Sequence, residues 1–142
     1  MVELISRDDK KDIEEAIKRA EKNTSGEIRV HIKKHCNKDI FNEAIKVFQR
    51  LKMYKTKHRN GTLIYIGITS RNFAIIGDEG INKKVDIAFW DDVKIEMERL
   101  LSQGAFKEAI IQGVTLIGEK LKAHFPQDKK NTNELSNTIS VE

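Results

Sequence analysis

Two dense apolar runs joined by a short polar turn constrain this chain more than any other feature. They are Thr62 to Thr69 and Arg71 to Ile76. Runs this apolar read as strands buried on both faces. Ser70 and its neighbours leave room only for a tight reversal, so the pair reads as an antiparallel hairpin. The second strand runs into Gly77-Asp78-Glu79-Gly80, two acids held between glycines that let the backbone turn sharply. The acids read either as turn residues or as one wall of a site.

The remaining elements follow from periodicity. Ser6 caps a helix over residues 7–22, with Ile13, Ala16, Ile17 and Ala20 as its stripe. Residues 27–33 alternate, with Ile28, Val30 and Ile32 opposite Glu27, Arg29, His31 and Lys33. That alternation describes a strand covered on one side, or a sheet edge. A second helix spans residues 38–54. Beyond the hairpin, helices are expected over 82–89, 91–102 and 105–124, with Pro126 as the stop. Trp90 reads as a core anchor.

Helix, strand, helix, strand, strand and helices, in that order, give a small mixed sheet: a parallel βαβ unit plus the antiparallel hairpin. Strand ends then fall on common rims. Glu27 starts the first strand, Asn60 and Gly61 precede the second, and Asp78 and Glu79 follow the third. All belong to one rim, and Asp91 and Asp92 open a helix a short loop later. Hard oxygens gathered this way suit calcium, with magnesium as the alternative. The loop is not an EF-hand: with Asp78 as its first position, the twelfth is Phe89 rather than glutamate. The competing reading makes Asp78 and Glu79 turn residues and Asp91 or Asp92 a helix cap.

With 142 residues, 39% hydrophobic and 34% charged, the chain fits one domain able to bury its own core. A single cysteine, Cys36, excludes an internal disulfide framework. No apolar run approaches the ~20 residues of a membrane span. The N-terminus lacks a signal-peptide apolar region, and the expected location is the cytoplasm. The charge of +4 is modest. Its densest cluster, Lys52, Lys55, Lys57, His58 and Arg59, reads as a solvated helix end or as a surface for phosphate, an acidic protein or a membrane. No nucleic-acid motif accompanies it. His31 and His35 do not share a helix face, which argues against zinc. Nucleophile-elbow and phosphate-loop motifs are absent.

Taken as an ordered series, several of these segments are familiar. Gly26-Glu27-Ile28, Arg59-Asn60-Gly61, Phe73-Ala74-Ile75-Ile76-Gly77-Asp78-Glu79-Gly80-Ile81, Phe89-Trp90-Asp91 and Gly104-Ala105-Phe106 resemble the TPM domain family, above all its small soluble bacterial members. The likeness runs from Ser6 to Pro126. It implies a three-layer α/β/α sandwich over residues 1–126; residues 127–142, polar and without aromatics, read as a flexible tail whose Leu135, Ile139 and Val141 dock weakly at most. It also implies a calcium-type site on the acidic rim in some members, and acid phosphatase activity in a thylakoid-lumen relative. Carried onto this sequence, the candidate ligands are Glu27, Asp78, Glu79, Asp91, Asp92 and Asn60. The leading expectation is a calcium-binding module acting as a binding or scaffolding unit. It works as a monomer with a protein partner, which can itself be membrane-associated, without nucleic acid and without membrane insertion. A metal-dependent phosphatase-like hydrolase and a metal-free protein-interaction module are the alternatives.

Overall fold

A computed structural model of the chain describes residues 5–127 and 139–142. Helix α1 (Arg7–Glu21) leads into β1 (Glu27–Lys33), α2 (Ile40–Arg50), β2 (Gly61–Gly67) and β3 (Asn72–Gly77). A single-turn helix α3 (Glu79–Asn82) and a 3₁₀ turn (Ile87–Trp90) follow, then α4 (Asp91–Ser102), α5 (Phe106–His124) and a short β4 (Ser140–Val141). Ser6 caps α1 as its sequence indicates, accepting a hydrogen bond from the Asp9 amide at 3.0 Å.

The sheet is mixed and ordered β3-β2-β1-β4. β1 and β2 run parallel with Glu27 opposite Gly61, and β2 and β3 form the antiparallel hairpin with Thr62 opposite Gly77. Ile28, Val30, Ile32, Ile64, Ile66 and Ile75 face the layer built by α1, α4 and α5. Leu63, Tyr65, Ala74 and Ile76 face Ala44, Val47 and Phe48 of α2. The α/β sandwich is therefore unequal, with three long helices on one face and one on the other. In the thick layer, α5 packs against α1 closely enough that a Cβ on Gly118 would come within 2.7 Å of the Ala20 Cβ. No helix among the described residues is long and apolar enough to cross a membrane.

Three local readings change. Helix α2 ends four residues before Tyr54, because Lys52 turns left-handed at φ 56°. The Lys52 amide bonds to the Gln49 carbonyl and the Met53 amide to the Phe48 carbonyl, a Schellman ending built without glycine. The helix expected over 82–89 does not form: one short turn ends at Asn82 and another starts at Ile87, each started by an aspartate. Asp78 caps α3, and Asp86 accepts from the Ala88 amide to start the 3₁₀ turn. Lastly, β1 is not a sheet edge along its whole length. It lies between β2 and β4, where His31 pairs with Ser140 and Ile32 with Val141. Ile139 is buried and Val141 exposed, whereas Leu135 falls outside the described residues.

Candidate functional site

Parallel and antiparallel pairing bring the starts of β1 and β2 and the end of β3 to one rim. The Glu27 amide meets the Asn60 carbonyl at 3.4 Å, and the Asp78 amide meets the Gly61 carbonyl at 3.0 Å. The main chain thus places Glu27, Asn60 and Asp78 side by side. Their side chains then part. Asn60 is buried and donates through Nδ2 to Ser25 Oγ at 3.2 Å. Glu27 is buried near Glu21, and its charge acts on that carboxyl.

Asp78 turns toward Arg59. The guanidinium donates from Nε to Oδ2 at 2.8 Å and from Nη2 to Oδ1 at 3.0 Å, a bidentate pair. Its remaining nitrogen, Nη1, reaches Glu79 Oε1 at 3.0 Å. Asp78 Oδ1 also accepts from the Glu79 amide at 2.8 Å. Arg59 is held by main-chain geometry as well as by charge. Its φ is 49°, in the left-handed region, and its carbonyl accepts from the Gly80 amide at 2.8 Å. A Cβ on Gly80 would overlap the carbonyl oxygens of His58 and Arg59. Glycine at this position is what lets the acidic loop lie against the Arg59 turn.

The other expected ligands lie elsewhere. Asp91 is the exposed first residue of α4. Asp92 is also exposed, and it pairs with Lys120 of α5 at 2.9 Å. That lysine holds the Asp92 carboxyl below its usual range. Neither residue lines the cleft described below. Among the described residues, no group of three His, Cys, Asp or Glu side chains is placed to hold a metal ion. Calcium asks for roughly six to eight oxygens. As arranged, the six candidate ligands do not fit that requirement, because Arg59 already supplies the positive charge that Asp78 and Glu79 face.

Beside the Arg59–Asp78 pair runs an open cleft of about 770 Å³. Its floor is Ile75, Ile76 and Gly77 of β3. One wall is α2, through Phe41, Ile45 and Phe48, and the other is Ile87 and Trp90, with Lys94 beyond. Glu79, Asn82 and Asp86 border it. Trp90 is buried as expected of a core anchor, but Phe41 is 57% exposed and Ile87 is 95% exposed. The sequence offered a signal for these two that periodicity masked. Phe41 belongs to the apolar stripe of α2, and Ile87 falls within the helix expected over 82–89, which does not form.

Two further titratable groups, Glu21 and His31, are perturbed in a way the sequence did not indicate. Burial, reinforced by the charge of Glu27, pushes the Glu21 carboxyl up to about 8, against the pull of its 2.7 Å hydrogen bond from the Ile28 amide. Burial, with the charges of Arg50, Arg29 and Lys33, holds His31 down at about 4. His31 stacks on Tyr65 and lies 2.6 Å from Ser140 Oγ through Nδ1.

The rim, the mixed sheet and the hairpin define a small α/β domain of the type found in TPM proteins. The TPM domain family profile matches residues 1–120, and the chain belongs to that family. The chain is similar to the BA42 protein of the psychrophilic bacterium Bizionia argentinensis, whose NMR structure superposes with a TM-score of 0.93 at 42% identity. That match covers 100% of this chain and 98% of BA42. The N-terminal domain of the cg2496 protein of Corynebacterium glutamicum shares the fold, with a TM-score of 0.65 at 14% identity, covering 96% of this chain and 80% of that one. No curated protein matches the chain.

Proposed function

We propose that this TPM domain is a protein-binding module whose partner sits in the cleft between α2 and the 3₁₀ turn. The supporting observation is the pair of exposed apolar walls, Phe41 and Ile87, on either side of an open apolar floor. Contiguous exposed apolar surface rimmed by polar groups marks interaction sites. The polar groups at the rim are committed to one another, with Arg59 bonded to both acids, which favours recognition over turnover. A calcium site, with magnesium as its alternative, is the second reading: Asp78, Glu79 and Asp86 border the same cleft, although as they stand they are not grouped to hold a cation. It requires Arg59 to release Asp78.

Amide and methyl shifts of the labelled protein separate the two. Short apolar peptides are expected to move Ile75, Gly77 and Ile87, and millimolar calcium is expected to leave Asp78, Glu79 and Gly80 in place. The reverse result, calcium shifts centred on Asp78 that strengthen in Arg59→Met and peptides that shift only distant residues, replaces the protein-binding reading with the cation reading.

A further inference from the structure

We propose that the partner enters the cleft as an added β-strand on the open edge of β3, and that it is an extended segment with apolar side chains on both faces and a lysine or arginine at one end. The proposal rests on the cleft reading above and gives it a backbone mechanism. β3 is the terminal strand of the sheet, and among the described residues no strand pairs with its outer edge. The phase of the hairpin fixes which groups point outward. The Asp78 amide bonds to the Gly61 carbonyl, so Ile76, Ala74 and Asn72 turn their amides and carbonyls toward β2. Phe73, Ile75 and Gly77 turn theirs to the open side. The Gly77 carbonyl confirms the phase by accepting from Asn82 Nδ2 at 3.1 Å.

Sheet edges are ordinarily blunted by charge, proline or a bulge. The run Asn72-Phe73-Ala74-Ile75-Ile76-Gly77 carries no charge and no proline, and it pairs with β2 in unbroken register. The cleft opens onto Ile75 and Gly77, and with the Gly77 carbonyl held by Asn82 the groups left for a partner strand are the Ile75 amide and carbonyl and the Gly77 amide. A strand laid there sends successive side chains to opposite faces. One set meets Phe41, Ile45 and Phe48 on the α2 side, and the other meets Ile87 and Trp90. Main-chain bonds then give affinity and the two apolar walls give sequence preference, as in other strand-addition complexes. At the Gly77 end stand the carboxylates of Glu79, whose side chain is 53% exposed, and of Asp86, also exposed. Glu79 already shares its charge with Arg59, so the selection falls to Asp86, which favours a cationic side chain on the partner at that end, while Lys94 borders the same cleft.

The test uses synthetic ten-residue peptides of eight alternating valines and isoleucines, apolar on both faces, that end in two lysines. Paired versions are N-methylated at alternate backbone positions, and a third set ends in two glutamates. Strand addition predicts that the unmodified peptide slows hydrogen exchange of the Ile75 and Gly77 amides. N-methylation should weaken binding by about tenfold or more through lost main-chain bonds. The glutamate set should bind more weakly, as should Ile87→Glu and Phe41→Glu, both substitutions at exposed positions that leave the core untouched. If the N-methylated peptide binds the cleft equally well, strand addition is overturned while the cleft reading stands. If no peptide moves the cleft at millimolar concentration, both fail. If the Ile75 and Gly77 amides become protected with rising protein concentration and no peptide, the edge belongs to a second copy of the chain and the proposal is likewise overturned.

Discussion

The Asp78 carboxylate shows how far residue identity alone carries. Two acids between glycines are legible as a polar cluster at a strand end, and chain-end geometry places them on the rim with Asn60. Which cation they face is not legible, because calcium and a guanidinium satisfy the same oxygens. The deciding detail is the left-handed backbone at Arg59, which points the side chain back across the rim. Glu21 and His31 were hidden for different reasons: Glu21 falls one turn beyond Ile17, half-buried at the flank of the α1 stripe, whereas His31 lies on the polar side of the β1 alternation and is buried between Tyr65 and Ser140. Their effects on stability oppose each other. Glu21 has its folded value raised to about 8, so it favours folding at low pH, and that contribution is lost as pH rises from its ordinary 4.5 through 8. His31 has its folded value lowered from 6.5 to about 4, so its contribution is present above 6.5 and lost as pH falls through 4. Between 4.5 and 6.5 the slopes largely cancel, and above 6.5 only the Glu21 decline remains. Denaturant midpoints measured from pH 4 to 9 are expected to fall above 6.5 in the wild type. Glu21→Gln should flatten that limb and gain roughly 1–3 kcal/mol at pH 9. His31→Gln should steepen the fall between 4.5 and 6.5. A wild-type profile that rises above 6.5 contradicts the assignment of Glu21.

At the scale of elements, strong periodicity was reliable and short capped pieces were not. β1, the hairpin, α4 and α5 stand within a residue or two of where their patterns put them, since each buries a continuous apolar face. α2 was overextended because its stop is a lysine in a conformation usually given to glycine. The 78–90 segment was misjudged because its two aspartates, Asp78 and Asp86, each cap a separate turn, leaving Ile87 exposed. The close approach of α3 to the Arg59 turn is the element-level feature on which the rim depends. Gly80→Ala is expected to cost about 1–3 kcal/mol, the usual range for forcing a methyl into filled space. It should also loosen the Arg59–Asp78 pair. The measurement is urea denaturation together with the Arg59 Nε–H signal, which should lose its protection from exchange. An alanine variant of unchanged stability and unchanged Arg59 protection means that the loop does not need the contact.

For the whole molecule, the layers and the mixed sheet follow from the order of the elements, but the fourth strand does not. Two residues of strand have no periodicity to read, and the polar composition of the C-terminal segment points away from a docked end. What holds Ser140–Val141 against β1 is a sum of unlike contributions. Ile139 is only 3% exposed and belongs to the main core cluster. The Glu142 amide bonds to the Ile32 carbonyl at 2.8 Å, and Ser140 Oγ contacts His31. Glu142 also pairs with Arg50, a residue whose side chain is 58% exposed. These predict a ranking. Ile139→Ala should cost roughly 2–4 kcal/mol, as for a buried isoleucine. Ser140→Ala should cost about 1 kcal/mol for one hydrogen bond. Glu142→Gln should change stability by less than about 1 kcal/mol, because an exposed ion pair in water gains little. A chain ending at residue 138 should lose at least as much as Ile139→Ala, and the released His31 should titrate closer to its ordinary 6.5. Histidine ring signals followed by NMR against pH, beside thermal unfolding of the four variants, test both halves of this argument. If Glu142→Gln proves the most damaging, charge rather than burial anchors the strand, and the end of the chain is a salt-sensitive clasp instead of part of the core.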